Sequence, residues 1–273
     1  MFFPGFIVEF LCKANYIYSM RKYINKFSPT LLCAFLISFA ILPQKIFSAD
    51  FSIAPVRVFF DTRTTTAILT ITNESEKDLT LQLKTFTWQQ DEAGEDVYSP
   101  TEDIIFFPKI FKIEKAADKL IRLWSKIPHG SDEKTYRLFL EEIPESQAAN
   151  GASVRILMRV GVPIFISPLQ ESAKGVITKA VLQSGNLSLS IKNEGNSHFI
   201  IQKITVKGTN DAGIELFNIE TGGGYLLAAA SKSFMIEIPA DKCPQAKFFE
   251  INIDTDKLSL DGKIEISKEM CRF

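Results

Sequence analysis

Cysteine, histidine and tryptophan are all scarce in this chain of 273 residues, which holds four, two and two of them. Cys12 and Cys33 lie in an N-terminal segment of its own character, and the two histidines, His129 and His198, stand far apart. Two cysteines and two scattered histidines supply no ligand spacing for zinc, so neither a metal nor a cofactor is expected. Enzyme signatures are absent too: there is no GxSxG elbow, no P-loop, no HExxH and no cysteine near a histidine. Glu141 and Glu142 are adjacent, so an extended chain points them to opposite faces and keeps them from sharing one substrate. The chain therefore reads as a non-enzyme without a small-molecule substrate. Charge of one sign is lacking as well. Lys and Arg number 31 against 32 Asp and Glu, a net charge of -1, which leaves no basic excess for the phosphates of a nucleic acid.

A membrane-spanning run is also missing. The apolar stretch Leu31–Leu42 is too short to cross a bilayer as a stable helix, and it follows the basic residues Arg21, Lys22 and Lys26. Small residues Ser48 and Ala49 come next, although Phe47 fits the -3 position poorly if cleavage follows Ala49. Residues 1–49 are thus expected to be an export signal, with Met20 as the natural start. Removing that segment leaves Cys243 and Cys271 as an even pair in an oxidising compartment, which predicts a disulfide between them.

What the chain does have is strand after strand. FSIAPVRVFFD, TTAILTITNES, LTLQLKTFTWQQ, KLIRLWS and TYRLFLEEIP are rich in β-branched and aromatic residues, and NESEK, DEAGED and AANGAS punctuate them as turns. After Pro168 the linker LQESAKG precedes a second set: ITKAVLQ, NLSLSIKNEG, HFIIQKITVKG, SFMIEIPA, FFEINID and KIEISKE. The expected fold is all-β, two tandem immunoglobulin-like β-sandwich domains over residues 50–167 and 173–273. His198 and Asn193 are read as turn and strand-start residues, and Trp88 and Trp124 as core or sheet-surface aromatics.

One strand stands apart. In VRILMRVGVPIFISP, Val154, Ile156, Met158, Val160, Val162 and Ile164 share one face, while Arg155, Arg159, Gly161 and Pro163 fall on the other. Proline inside a strand argues for an edge, because it has no N–H to give a neighbour. An edge with a long apolar row invites aggregation unless something covers it. Two readings follow: the row faces the protein's own core, or presenting it to a partner is what the protein is for.

APVRVFFD, KLIRLW, YRLFLEEIP and RVGVPIFISP, in that order and spacing, together with NEGNSHFII in the second half, resemble the periplasmic chaperones of chaperone–usher pilus assembly. The RVGVPIF wording and the short connection PESQAANGA look closest to the short-loop, archaic branch. The resemblance implies an L-shaped arrangement of the two sandwiches and a location in the periplasm. It also implies a mechanism: pilus subunits lack their last strand, and the chaperone lends one of its own by donor-strand complementation. The partners implied are pilus subunits (pilins) and an outer-membrane usher, while self-association of the unoccupied protein stays open. In this sequence the donated row maps onto Val154, Ile156, Met158 and Val160. Burying three or four such side chains at roughly 1.5–3 kcal/mol each gives about 5–10 kcal/mol before ordering costs.

Arg57, just before VFFD, matches the family arginine that grips the subunit's C-terminal carboxylate, a task suited to a bidentate guanidinium. The family's second cation, a lysine, aligns with Pro163, so Arg159 on the same face is the residue proposed to replace it. Arg122 in KLIRLW is a less favoured substitute. Glu142 and Asp254 resemble acidic members of the family's interdomain ion network, whose arginine aligns with Ser167. A two-domain immunoglobulin-like module for adhesion or recognition is the competing reading, which fold alone does not separate from a chaperone.

Overall fold

The structure, a computed structural model, describes residues 51–144 and 157–271. The expected signal segment, and with it Val154 and Ile156 of the predicted donor row, lies outside the described residues. From Ala49 onward the chain forms one compact unit.

Ten strands build the first sandwich. They are β1 (Phe51–Ala54), β2 (Val58–Phe60), β3 (Thr66–Asn73), β4 (Leu79–Gln90), β5 (Asp96–Pro100), β6 (Ile104–Phe107), β7 (Ile110–Ile113), β8 (Asp118–Ser125), β9 (Lys134–Glu142) and β10 (Arg159–Ile166). One sheet runs β1-β3-β8-β6 and the other β2-β10-β9-β4-β5, with β7 also on β4. Period-two alternation puts Leu69, Ile71, Leu81, Ile121, Leu123, Leu138, Leu140 and Ile164 between the sheets, each fully out of water. The segment FSIAPVRVFFD is two strands, not one. Pro55–Arg57 carries the chain from β1 in one sheet to β2 in the other.

The second sandwich contains β11 (Gly175–Gln183), β12 (Asn186–Asn193), β13 (Phe199–Thr209), β14 (Glu215–Thr221), β15 (Gly224–Leu226), β16 (Ser231–Glu237), β17 (Phe248–Thr255) and β18 (Ser259–Glu265). Its sheets run β11-β12-β16 and β14-β13-β17-β18, and β15 pairs with β13. Between β11 and β12 only Ser184 and Gly185 intervene, both at positive φ (47° and 71°), the geometry of a two-residue turn that follows the twist of its strands. A separate core, including Leu187, Leu189, Ile191, Phe199, Ile204, Phe249 and Ile253, fills this sandwich. No α-helix occurs among the described residues.

The same device closes a strand in both sandwiches. Asn73 ends β3 and Asn193 ends β12, each fully buried and each followed by Glu and a small residue. Asn73 donates from Nδ2 to the carbonyls of Lys77 (2.8 Å) and Ile113 (3.1 Å), and its Oδ1 accepts from Ser75 N–H (3.0 Å). Asn193 donates to Ser197 O (2.9 Å) and Leu226 O (3.1 Å) and accepts from Gly195 N–H (2.9 Å). A buried amide with its groups satisfied fixes the turn. Asn193→Ala strands those backbone groups and is expected to cost about 1–3 kcal/mol, read as a lower urea midpoint at unchanged slope. A loss below about 0.5 kcal/mol would exclude this role.

The sandwiches meet through a small aromatic cluster. Trp88, Phe165 and Leu227 form a buried group of their own, with Tyr225 packed against it. Gln90 bridges the junction twice, donating from Nε2 to Tyr225 O (3.0 Å) and accepting on Oε1 from Leu227 N–H (3.0 Å). On the other flank, Glu133 N–H donates to Asn196 O (2.9 Å) and Asn196 Nδ2 to Ser131 O (2.7 Å). His198 lies stacked on Phe165, centroids 3.8 Å apart, and the Glu133 carboxylate holds it at Nδ1 (2.7 Å) and at its backbone N–H (2.9 Å). The cysteines of the second sandwich, Cys243 and Cys271, are joined as a disulfide.

Candidate functional site

Strand β10 is covered on one side only in part. Along β9 it pairs from Arg159↔Glu141 to Ile166↔Lys134, whereas β2 pairs with it, in parallel, only over Val58↔Ile164, Phe59↔Phe165 and Phe60↔Ile166. From Arg159 to Pro163 no described strand occupies that second edge. Glu142 N–H donates to Met158 O (3.1 Å), so even-numbered residues of β10 turn their backbone groups to β9 and odd-numbered ones to the other edge. Ser167 N–H, donating to Phe60 O (2.9 Å), keeps the same phase. The uncovered edge therefore offers the N–H and C=O of Arg159 and Gly161, and coverage by β2 begins at the Pro163 C=O, which faces Val58 N–H. Pro163 sits where its missing N–H withdraws nothing from the β9 ladder, which is how a proline is tolerated in this strand.

The side-chain rows follow from that phase. Val162, Ile164 and Ile166 point into the core of the first sandwich at 2%, 0% and 1% exposure, while Met158 and Val160 on the same row are half-buried and pack against that core. Burial thus falls off toward the N-terminal end of the strand, where β2 no longer covers it. Of the predicted donor row the structure places Met158 and Val160 at this unsealed margin.

On the opposite face, Arg159 is already engaged. Its Nε lies 3.0 Å from Glu141 Oε1 and its guanidinium 3.9 Å over the Phe139 ring, while Lys84 holds the other Glu141 oxygen at 2.7 Å. Arg57 is exposed and precedes β2 directly, so the parallel register sets it beside Pro163. Four residues of strand separate Arg159 from that point, roughly 13 Å. The structure does not bring Arg159 and Arg57 together. Arg122 lies on β8 of the other sheet, opposite Ile68 and Phe107.

Glu142 and Asp254 are likewise not neighbours of the junction. Glu133, which touches the second sandwich, and Glu142 mark opposite ends of β9, roughly 30 Å apart along an extended chain. Asp254 on β17 stands opposite Lys203 and Ser259, whose Oγ donates to it at 3.4 Å. The carboxylate that links the sandwiches is Glu133, and its partner is His198, the residue expected to serve a turn. Glu171 in the connecting segment adds a lesser tie. Its carboxyl is held below the ordinary range first by a hydrogen bond from Lys257, with further help from Ser197. Trp88 is core at the junction and Trp124 half out of the sheet surface, as their sequence settings suggest.

Two tandem immunoglobulin-like sandwiches, the first with one strand edge half covered, define the class of fold. Residues 50–171, the first sandwich, match the family described as pili and flagellar-assembly chaperone, PapD N-terminal domain. No curated relative matches the sequence. The fold is shared across both sandwiches with a chain of the CsuC–CsuE chaperone–tip adhesion subunit pre-assembly complex from archaic chaperone–usher Csu pili of Acinetobacter baumannii, at 20% identity and TM-score 0.54, covering 80% of this chain and 99% of that one. The class 5 fimbriae chaperone CfaA is similar at 14% identity and TM-score 0.52, covering 78% and 98%. A chain of the Salmonella enterica SafA pilin–SafB chaperone complex is similar at 15% identity and TM-score 0.50, covering 81% and 99%.

Proposed function

We propose that the protein is a periplasmic chaperone that binds, folds and caps pilus subunits by donor-strand complementation and passes them to an outer-membrane usher. The observation that carries this is the uncovered edge of β10 from Arg159 to Pro163, collinear with β2. A visiting strand in that slot takes the place β2 would occupy if it were longer. Run parallel to β10, as β2 is, it ends at Arg57 with its C-terminal carboxylate. Run antiparallel, it would bring an α-ammonium to the same arginine, a like-charge contact. Its inward side chains would meet Met158 and Val160 at the half-buried margin, and on the N-terminal side Ile156 and Val154 continue the row. The subunit's gain is main-chain hydrogen bonding plus burial of alternate side chains, without ATP. A two-domain adhesion or recognition module has no use for a core left open beside an arginine.

Co-expression in the periplasm with a tagged pilus subunit encoded beside its gene tests the reading. A soluble binary complex is expected. The double substitution Ile156→Asp and Met158→Asp removes two inserted side chains, a loss of about a hundredfold or more in affinity, while circular dichroism shows the sandwiches still folded. Capture of the subunit at wild-type yield by the double variant would overturn donor-strand insertion by this strand.

A further inference from the structure

Gly161 is the one residue of β10 without a side chain, and a neighbouring strand fills the space above it. A methyl group placed on Gly161 would lie 2.9 Å from Phe139 Cε1 and 3.3 Å from Cδ1, closer than side-chain carbons normally come. Phe139 stands directly opposite on β9, so its ring leans across β10 toward the strand beyond. A ring laid over a cross-strand glycine shields backbone that the glycine leaves bare. Beyond Gly161 lies the edge that β2 does not cover.

The ring is held in this pose from its other sides. Arg159 places its guanidinium 3.9 Å from the Phe139 centre and is itself tied to Glu141 at 3.0 Å. Phe86 on β4 and Tyr98 on β5 meet Phe139 at T-shaped angles of 76° and 86°, with centroids 5.5 Å and 5.3 Å away, the arrangement aromatic pairs favour. Phe86 and Phe139 are half-buried and Tyr98 is exposed. An aromatic row therefore crosses β5, β4 and β9 on the outer face and stops at Gly161, whose N–H and C=O face the open edge. A residue docked opposite Gly161 shares that outer face, since paired residues point the same way. Its α-carbon lies roughly 10 Å from that of Phe139, two strand spacings away. With no side chain on Gly161 between them, two rings close that gap to the separation of an aromatic pair, whereas a short aliphatic side chain leaves it open.

We infer that Phe139, leaning across Gly161, is a specificity subsite that selects an aromatic side chain at the position of the docked strand opposite Gly161. The inference rests on the chaperone reading and extends it to the outward-facing side of the visiting strand.

The test is a competition. Wild-type protein and one variant, carrying different tags, are co-expressed with the subunit encoded beside the gene, and the subunit held by each is compared. Phe139→Leu is expected to hold about fivefold less subunit than wild type, and Phe139→Tyr an equal share. Aromatic residues in the subunit's last strand are then changed to leucine one at a time. At one of these positions the advantage of wild type over Phe139→Leu is expected to vanish. An advantage that persists with every subunit variant would make Phe139 a packing residue and overturn the inference, as would equal shares with the native subunit or a last strand without an aromatic residue. Should Phe139→Leu fail to fold, by its urea midpoint, Gly161→Ala, which keeps the ring and displaces it, decides by the same comparison. Wild-type protein that captures no subunit would defeat the chaperone reading and this inference with it. Capture that is lost on Ile156→Asp with Met158→Asp, yet shared equally by Phe139→Leu, would defeat this inference alone.

Discussion

Replacing Glu133 with alanine is expected to destabilise the protein by about 2–6 kcal/mol, about 1–3 kcal/mol for each of two buried hydrogen-bonding groups left without a partner. Both side chains are 3% exposed, and one oxygen, Oε2, receives two bonds from His198, at Nδ1 and at the backbone N–H. Without Glu133, the imidazole and the peptide N–H keep their burial and lose their acceptor. Glu133→Gln retains an oxygen and is expected to cost less than half as much. Exchanging the pair for Leu at 133 and Phe at 198 is expected to recover most of the loss, because Phe preserves the stack on Phe165 and no unpaired polar group is left behind. Urea unfolding of the four proteins settles the point. If Glu133→Ala loses under 1 kcal/mol, or the paired replacement is no better than the single one, the junction is not held by this pair.

The pair also ties stability to the proposed site. Phe165 lies under His198 and next to Phe59, and Pro163 and Arg57 precede those two phenylalanines on parallel neighbours. Loosening the junction therefore disturbs the strands that carry Arg57 and Pro163. A variant such as Glu133→Ala is expected to lose subunit capture along with stability, whereas Met158→Asp strikes capture first.

Local alternation made most of the strands legible. TTAILTITN and LTLQLKTFTWQQ read as half-buried strands because their apolar residues recur every second position, and β3 and β4 are those strands. Strands β5, β6, β7, β14 and β15 escaped that reading. Every residue of β5 is exposed and β14 has no fully buried position, so neither carries an apolar rhythm. Donor row and core row are indistinguishable in sequence, since the same period of two continues from Val154 to Ile166. What separates them is where β2 stops covering β10, and that pairing joins residues about a hundred positions apart in sequence. Glu133 was hidden for the same reason. A glutamate in a turn has no spacing motif, and its meaning comes from His198, distant in the chain. Pro163 was the exception, because a proline's missing N–H marks an edge without any knowledge of the partner.

Removing the disulfide by Cys243→Ala with Cys271→Ala is expected to cost about 3.5 kcal/mol, the loop-closure value for a cross-link spanning 28 residues. Both cysteines are buried, Cys243 in the turn Cys243–Gln245 before β17 and Cys271 in the turn Lys268–Cys271 after β18. β18 is an edge strand, hydrogen-bonded only to β17, so the bond anchors the end of an edge. Much of the effect lies in the unfolded chain, which gains freedom once the loop is opened. The signature is therefore double: a lower urea midpoint together with a steeper dependence on urea, as the opened chain exposes more surface on unfolding. Amide exchange should quicken first in β18 and β17 and leave β10 at its original rate, because the cross-link touches only the second core. Subunit capture at low temperature should survive, since every residue assigned to binding lies in the first sandwich. A double variant that unfolds within 1 kcal/mol of wild type, or one that loses capture while its first sandwich stays folded, would refute this division of labour.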